Sequence, residues 1–443
     1  MRRNRSRIFS LALIIPMFLV ILAACGSGTS GSGNSTPTTG STTIKIATEF
    51  PVSGKDESSG KPAENGAHLA VDQANTNNTI PGYKLVFDPT DDVGPAGIHD
   101  PSVGSQHVRS LVGDALVAGI IGPFNSNVAQ ADMPIANQAP IAMISPSNTN
   151  TCLTQDTTAS GCTGQNNQLA TLRPTGKVTY FRVCTTDSHQ GPAGADYLYK
   201  TLGYRKVYVI DDAETYGVGI AGTFSNEWKA LGGTILGHAS EPSTTTSYVS
   251  LLTQIASTHP DVIYFGGLDS TGGILIREQM LQVPGLKNTP LGGGDGLVTS
   301  TFATSIGLNN GGPVYATVAT VDATNTPTAQ TFIQQYDAVY GAAALGAYSA
   351  ASYDATNILI QAIKTALANG AHTPANSSDS AGAKTFRQAV INAIQNISYN
   401  GVLGHTSFDS NGDTTDKVIT VYKLGPNSSN KPDWIFASAV TIP

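Results

Sequence analysis

Charge is scarce in this 443-residue chain: 12% of residues are charged, and cations are the rarer sign, 24 Lys and Arg against 31 Asp and Glu. A net charge of −7 without a basic stripe excludes the electrostatic footprint of a nucleic-acid binder. Cysteine is sparse too, with four residues and no CxxC pair, and only His189 lies near one of them, so no metal site is expected. Neither HExxH nor GxSxG occurs, which removes the usual signals of zinc hydrolysis and of a nucleophile elbow. After residue 24 no run of 18 apolar residues exists, so nothing downstream is expected to span a membrane. Hydrophobic residues nevertheless make up 40% of the chain. The length suits two to three domains of about 150 residues each, with cores of their own.

What is present begins with a targeting signal. Arg2, Arg3, Arg5 and Arg7 precede an apolar stretch, 8–24, that ends Leu22-Ala23-Ala24-Cys25. That is a secretory signal with a small-residue cleavage site. Cys25 directly after Ala-Ala makes 1–24 similar to a bacterial lipoprotein signal, with Cys25 lipidated as the mature N-terminus. The alternatives are a plain signal peptide or a single membrane anchor, for which the stretch is short. Residues 25–42, rich in Gly, Ser and Thr, read as a lipidated Cys and a flexible tether. The expected location is extracytoplasmic, lipid-anchored to the cell membrane. Export permits disulfides. Cys152 and Cys162 flank a polar stretch and resemble a loop staple, whereas Cys184 ends the apolar segment YFRVC. With an odd count, the sequence does not decide which of the three stays unpaired.

Along the rest of the chain, short apolar runs rich in β-branched residues recur at 44–47, 84–88, 117–122, 141–145, 180–184, 206–210, 262–265 and 314–318. Helical spacing lies between them: Ala63, Ala67, Ala70, Val71 and Ala74 fall on one face, as do Phe224, Trp228 and Leu231. The C-terminal third is richer in helix, at 329–340, 347–368 and 383–397, before two strands at 417–424 and 434–438. Strand–helix alternation predicts an α/β fold of two doubly wound, Rossmann-like lobes, with ligands at the carboxyl ends of the strands.

Nucleotide motifs fail on spacing. Gly217-Val-Gly219-Ile-Ala-Gly222 has the letters of a dinucleotide fingerprint, but six residues separate it from the strand ending at Ile210. Small residues packing a helix on a sheet is the better account. No cofactor is expected.

Polar residues do gather after strand ends. Asn125-Ser126-Asn127 follows 117–122 and places Ser126 as a helix N-cap, a natural carboxylate site. Pro146-Ser147-Asn148-Thr149-Asn150 follows 141–145, Tyr216 follows 206–210, and Asp295 stands among glycines in Leu291-Gly-Gly-Gly-Asp295-Gly296. Each alone is ordinary turn chemistry. Together they describe a receptor for a zwitterion, with hydroxyls and amides for a carboxylate and a carboxylate for an amine.

The segments IKIATEFPVSG, ENGAHLAVDQAN, VAGIIGPFNSNVAQ, PIAMISPSNTN, FRVCTTDSHQG, VYVIDDAETYGVG, GGDG, YSAASYDA and FDSNGD occur in an order similar to that of the type I periplasmic solute-binding proteins of the branched-chain amino acid ABC transporter family. The resemblance runs from about residue 43 to the C-terminus. It implies two lobes joined by three crossings, 43–186 plus 321–415 and 187–320 plus 416–443, closing over a small ligand. It implies ligand contacts from Ser126, Ser147 through its backbone, Thr149, Tyr216 and Tyr348, with Asp295 facing the amine where relatives carry Glu. Two aromatic positions of the amino acid binders are occupied by Ser59 and Leu268. The expected partners are a small amino acid, aliphatic or branched-chain, and a membrane ABC permease, with the chain acting as a monomer and not as an enzyme. A short amide or other small polar solute, or a ligand-sensing role, is the alternative.

Overall fold

The computed structural model describes residues 42–155, 162, 168–309 and 311–441; the signal, Cys25 and the tether up to residue 41 lie outside the described residues. Strands β1 (Thr43–Phe50), β2 (Lys84–Asp91), β3 (Val117–Ile121), β4 (Ala142–Ser145) and β5 (Tyr180–Arg182) form a parallel sheet in the order β2-β1-β3-β4-β5. Every residue of β3 and β4 is buried. This follows from helices on both faces, the situation that turns a strand into a continuous apolar run. Ile144 packs on one side with Ala355, Ile358 and Val390, while Met143 packs on the other with Val108 and Met133.

The second sheet repeats the plan. Strands β6 (Lys206–Asp211), β7 (Thr234–Ser240), β8 (Val262–Gly266), β9 (Leu291–Gly293) and β10 (Val314–Val318) are parallel. A small hairpin, β11 (Tyr399–Gly401) and β12 (Gly404–Thr406), comes next in the chain. The long strands β13 (Val418–Pro426) and β14 (Pro432–Thr441) then join the second sheet antiparallel, giving the order β14-β13-β10-β9-β8-β6-β7. The described architecture is thus α/β with two doubly wound lobes.

The chain passes between lobes three times: after β5, after β10, and before β13. The crossings lie side by side. Thr185 N–H donates to Ala319 O at 3.0 Å, and Thr420 Oγ1 donates to Thr320 O at 2.8 Å. At their base, buried Arg182 donates from Nε to Asp413 Oδ1 at 2.6 Å and from one guanidinium nitrogen to the carbonyls of Asn148 and Asn150, at 2.9 and 2.7 Å. Burial alone lowers the Arg182 pKa and raises that of Asp413, but their mutual attraction wins, so Arg182 is held above its ordinary value and Asp413 below. Close by, Cys152 and Cys162 are disulfide-bonded and Cys184 is a buried free thiol, its pKa raised by burial.

Several elements differ from the sequence reading. Strand β7 was not anticipated, because its edge sequence TILGHAS is half exposed and carries no apolar run. Strand β9 is three residues with two glycines, and only its neighbours β8 and β10 make it a strand. Strand β2 runs on through Pro89 to Asp91, which its edge position permits. The Gly217–Gly222 segment lies inside helix Thr215–Ala230. A Cβ at Gly217 would stand 2.5 Å from Gly266 O, so this glycine lets the helix approach β8.

Candidate functional site

The strand order reverses beside β1 and β3 in the first sheet and beside β6 and β8 in the second. Loops leaving the carboxyl ends of such strands diverge and leave a crevice. In this protein the crevices of the two lobes face each other. The first lobe contributes Ser58 and Ser59 after β1, Phe124, Asn125 and Ser126 after β3, Ser147 after β4, and Ala347 with Tyr348 from its C-terminal segment. The second lobe contributes Tyr216 after β6, Leu268 after β8, and Asp295, Gly296 and Val298 after β9. They enclose a cavity of about 30 Å³. That is room for about two waters, less than a whole amino acid occupies.

Five of the six anticipated contact residues, Ser126, Ser147, Tyr216, Asp295 and Tyr348, therefore line one cavity. Thr149 does not. It is fully buried, its carbonyl accepts the Asp187 N–H at 2.7 Å, and its hydroxyl faces the Asp187 carboxyl rather than the cavity. Ser126 is not the helix N-cap either: Asn125 takes the extended backbone of that position, and Ser126 opens the first turn of helix Ser126–Gln138. The first-turn N–H groups still surround it. The Ser147 N–H points to Ser145 Oγ at 3.3 Å, and its hydroxyl donates to Phe124 O at 3.0 Å. Phe124 is in turn wedged edge-on against Phe50 and Tyr348.

Asp295 is the charged centre of the cavity. Its Oδ1 accepts from Tyr216 OH at 2.9 Å and from Gln190 Nε2 at 2.7 Å. Gln190 is fixed by donating also to Thr317 O at 3.0 Å. Sequence reasoning passed over Gln190, although it lies in the segment FRVCTTDSHQG; nothing local shows that helix Asp187–Asp196 turns it toward a loop a hundred residues away. Gly294 makes room for the tyrosine, since a Cβ there would stand 2.2 Å from Tyr216 OH. Burial pushes the Asp295 carboxyl above its ordinary range, against the hydrogen bonds from Gln190 and Tyr216. Asp187, behind the cavity, is pushed up further by burial and by the Asp295 charge. The buried Tyr348 side chain also faces the Asp295 carboxyl. The site thus pairs a carboxylate seeking a cation with a helix N-terminus suited to an anion. Among the described residues no three His, Cys, Asp or Glu side chains are grouped to hold a metal.

The two lobes are in direct contact around this cavity. Asn150 Nδ2 donates to Thr215 O at 2.6 Å, and Thr215 Oγ1 donates to Gln130 Oε1 at 2.8 Å.

Comparison with known proteins agrees with this geometry. The family model described as "Periplasmic binding protein" matches residues 43–429. The chain belongs to the periplasmic binding protein family, as its sequence segments suggested. It is 27% identical over 382 residues to the Leu/Ile/Val-binding protein BraC3 of Rhizobium johnstonii, covering 86% of this chain and 91% of that one. Its fold is similar to that of the leucine-binding protein LivK of Thermotoga maritima, with a TM-score of 0.70 at 23% identity over 90% of this chain and 98% of that one. It is also similar to a solute-binding protein of an ABC transporter from R. palustris in complex with 4-hydroxybenzoate, with a TM-score of 0.71 at 16% identity over 90% and 97% of the two chains. These relatives are solute-binding proteins, and the present chain is a binding protein rather than an enzyme. Proteins of this family act outside the cytoplasm, and among the described residues no helix is long and apolar enough to cross a membrane.

Proposed function

We propose that this protein is the lipid-anchored substrate-binding component of an ABC transporter, tethered through Cys25, that captures a small aliphatic or branched-chain amino acid by closing its two lobes. The first would be built from 43–186 and 321–415, the second from 187–320 and 416–443, acting as a monomer that presents its closed form to a membrane permease. The observation that carries the reading is the pairing across one cavity of Asp295 with the first turn of helix Ser126–Gln138. An ammonium beside Asp295 would relieve the buried charge, and a carboxylate would meet the N–H groups around Ser126 and Ser147. A ligand that touches both lobes favours the closed state by its differential affinity for it. The names of the sequence relatives support an amino acid ligand.

A second reading has a short amide or other small polar solute as the ligand. The aromatic positions filled by Ser59 and Leu268 fit a pocket reshaped for a different solute. A thermal-shift screen separates the two, because a ligand stabilises only the state that binds it. Isoleucine, leucine and valine should raise the melting temperature under the first reading, and acetamide and urea under the second. A chain indifferent to all of them, and to small carboxylic acids such as 4-hydroxybenzoate, would remove both.

A further inference from the structure

A buried charged chain joins the lobes beside the ligand cavity, formed by residues that do not line it. His99, beyond the end of β2, has both ring nitrogens engaged: Nδ1 lies 2.7 Å from Asp56 Oδ2 and Nε2 lies 2.8 Å from Glu214 Oε2. Asp56 belongs to the first lobe and precedes helix Glu57–Thr76; Glu214 belongs to the second and precedes helix Thr215–Ala230. The His99 and Asp56 side chains are 1% and 2% exposed, and that of Glu214 is 19% exposed. The His99 backbone N–H also donates to Asp56 Oδ2 at 2.8 Å, so Asp56 and His99 form a fixed pair within the first lobe. Glu214 reaches that pair from across the cleft, and Asn127 Nδ2 donates to the same carboxylate at 3.3 Å.

Only an imidazolium can donate from both ring nitrogens at once. Two carboxylates therefore hold one buried cation between them, the arrangement in which charge-assisted hydrogen bonds are strongest. Both carboxylates also stand close in the chain to residues that line the ligand cavity. Asp56 is two residues before Ser58, and Glu214 is two residues before Tyr216. Joining them sets the distance between the segments that face a ligand from opposite sides.

We propose that Asp56, His99 and Glu214 form an ionic clasp that holds the lobes shut and governs how slowly a captured solute escapes. The clasp rests on the lobe-closure reading above. Its three residues position the cavity walls and do not touch the ligand. Opening the lobes removes Glu214 and leaves the Asp56–His99 pair intact, so the second lobe gains its attraction to the first only on closure.

The test uses the full-length chain in detergent micelles and the variants Glu214→Gln and His99→Gln, with isoleucine as the probe. Stopped-flow measurement should show isoleucine leaving Glu214→Gln at least tenfold faster than wild type, with little change in the association rate. Small-angle X-ray scattering without ligand should give a larger radius of gyration for Glu214→Gln than for wild type. NMR of the wild-type His99 ring at pH 8 should show both nitrogens protonated. Equal release rates and equal radii, or a neutral His99 ring, would overturn the clasp. If no solute binds the wild type, the transport reading fails, and the ligand-free scattering decides the clasp by itself. Should His99→Gln not fold, Glu214→Gln, at the partly exposed end of the chain of charges, carries the comparison.

Discussion

Tyr216 donates its hydroxyl to Asp295 Oδ1 at 2.9 Å and accepts the Gly296 N–H at 3.3 Å, so one phenol fixes the carboxylate and the backbone of the loop that presents it. Asp295→Ala should weaken isoleucine binding more than roughly tenfold, since a bound ammonium would lose its counter-charge. Tyr216→Phe removes both of these hydrogen bonds, each worth about 0.5–1.5 kcal/mol, but leaves the Asp295 carboxylate in place, so isoleucine affinity should fall severalfold. Calorimetry on both variants checks the order; equal affinities for wild type and Asp295→Ala would sink the assignment of the amine site.

The clasp also predicts a dependence of stability on pH. The groups facing His99 are Asp56 and Glu214 in direct contact, with Asp92 acting through its charge. Burial by itself would push the His99 imidazole down, but the two carboxylates outweigh it and raise its pKa to about 10. Asp56 is lowered: burial pushes it up, and His99 more than reverses this. The His99 contribution is therefore complete below its ordinary value of 6.5 and is lost as pH rises through about 10. Melting temperature measured from pH 6 to pH 10.5 should fall more steeply for wild type than for Glu214→Gln. Parallel curves would show that the bridge adds no pH-dependent stability.

Buried carboxylates without partners make the opposite kind of target. Asp132 and Asp92 are fully buried, and neither oxygen of either has a hydrogen-bond partner in the structure. Burial and the neighbouring Glu49 charge raise both pKa values well above the ordinary 3.8. Stability tied to their protons is complete below that value and lost as pH rises through the raised folded one. Asp132→Asn should therefore be more stable than wild type at pH 7, by about 1–3 kcal/mol, and the gain should shrink toward pH 4. Urea denaturation at both pH values measures it; a destabilised variant at pH 7 contradicts the account.

At the crossings the sign reverses, because the charges are paired. Asp413→Ala leaves Arg182 buried against the Asn148 and Asn150 carbonyls and the Thr154 hydroxyl, without its ion-pair partner, and should cost about 3–5 kcal/mol. Chemical denaturation reads this directly, and a loss below about 1 kcal/mol would mean that the Arg182 carbonyl contacts suffice.

The covalent state of the cysteines has a simple readout. With Cys152 and Cys162 bonded and Cys184 buried, a chain carrying Cys25→Ser should show one titratable thiol in denaturant and none without it. Three thiols in denaturant would exclude the bridge.

Much of the frame was legible in the sequence. Strands such as β3, β4 and β8 are buried on both faces, a place that favours an apolar run. The dinucleotide reading fails on spacing that can be counted along the chain, and the catalytic motifs HExxH and GxSxG do not occur. That Tyr216, Asp295 and Ser126 line one cavity was legible because each follows a strand's carboxyl end, where an open parallel sheet leaves its crevice.

Tertiary structure alone decided the rest. Whether a three-residue segment with two glycines is a strand depends on what lies beside it, and β9 exists because β8 and β10 flank it. Gln190, His99 and Glu214 are polar residues that no local pattern singles out, and the partners that distinguish them lie 105 and 115 positions away. Composition and periodicity report what a residue prefers around it, over a turn or two of chain. Which distant charge it meets is settled only when three crossings bring two lobes face to face, since hydrogen bonds act over a few ångströms of space and carry no record of separation along the chain.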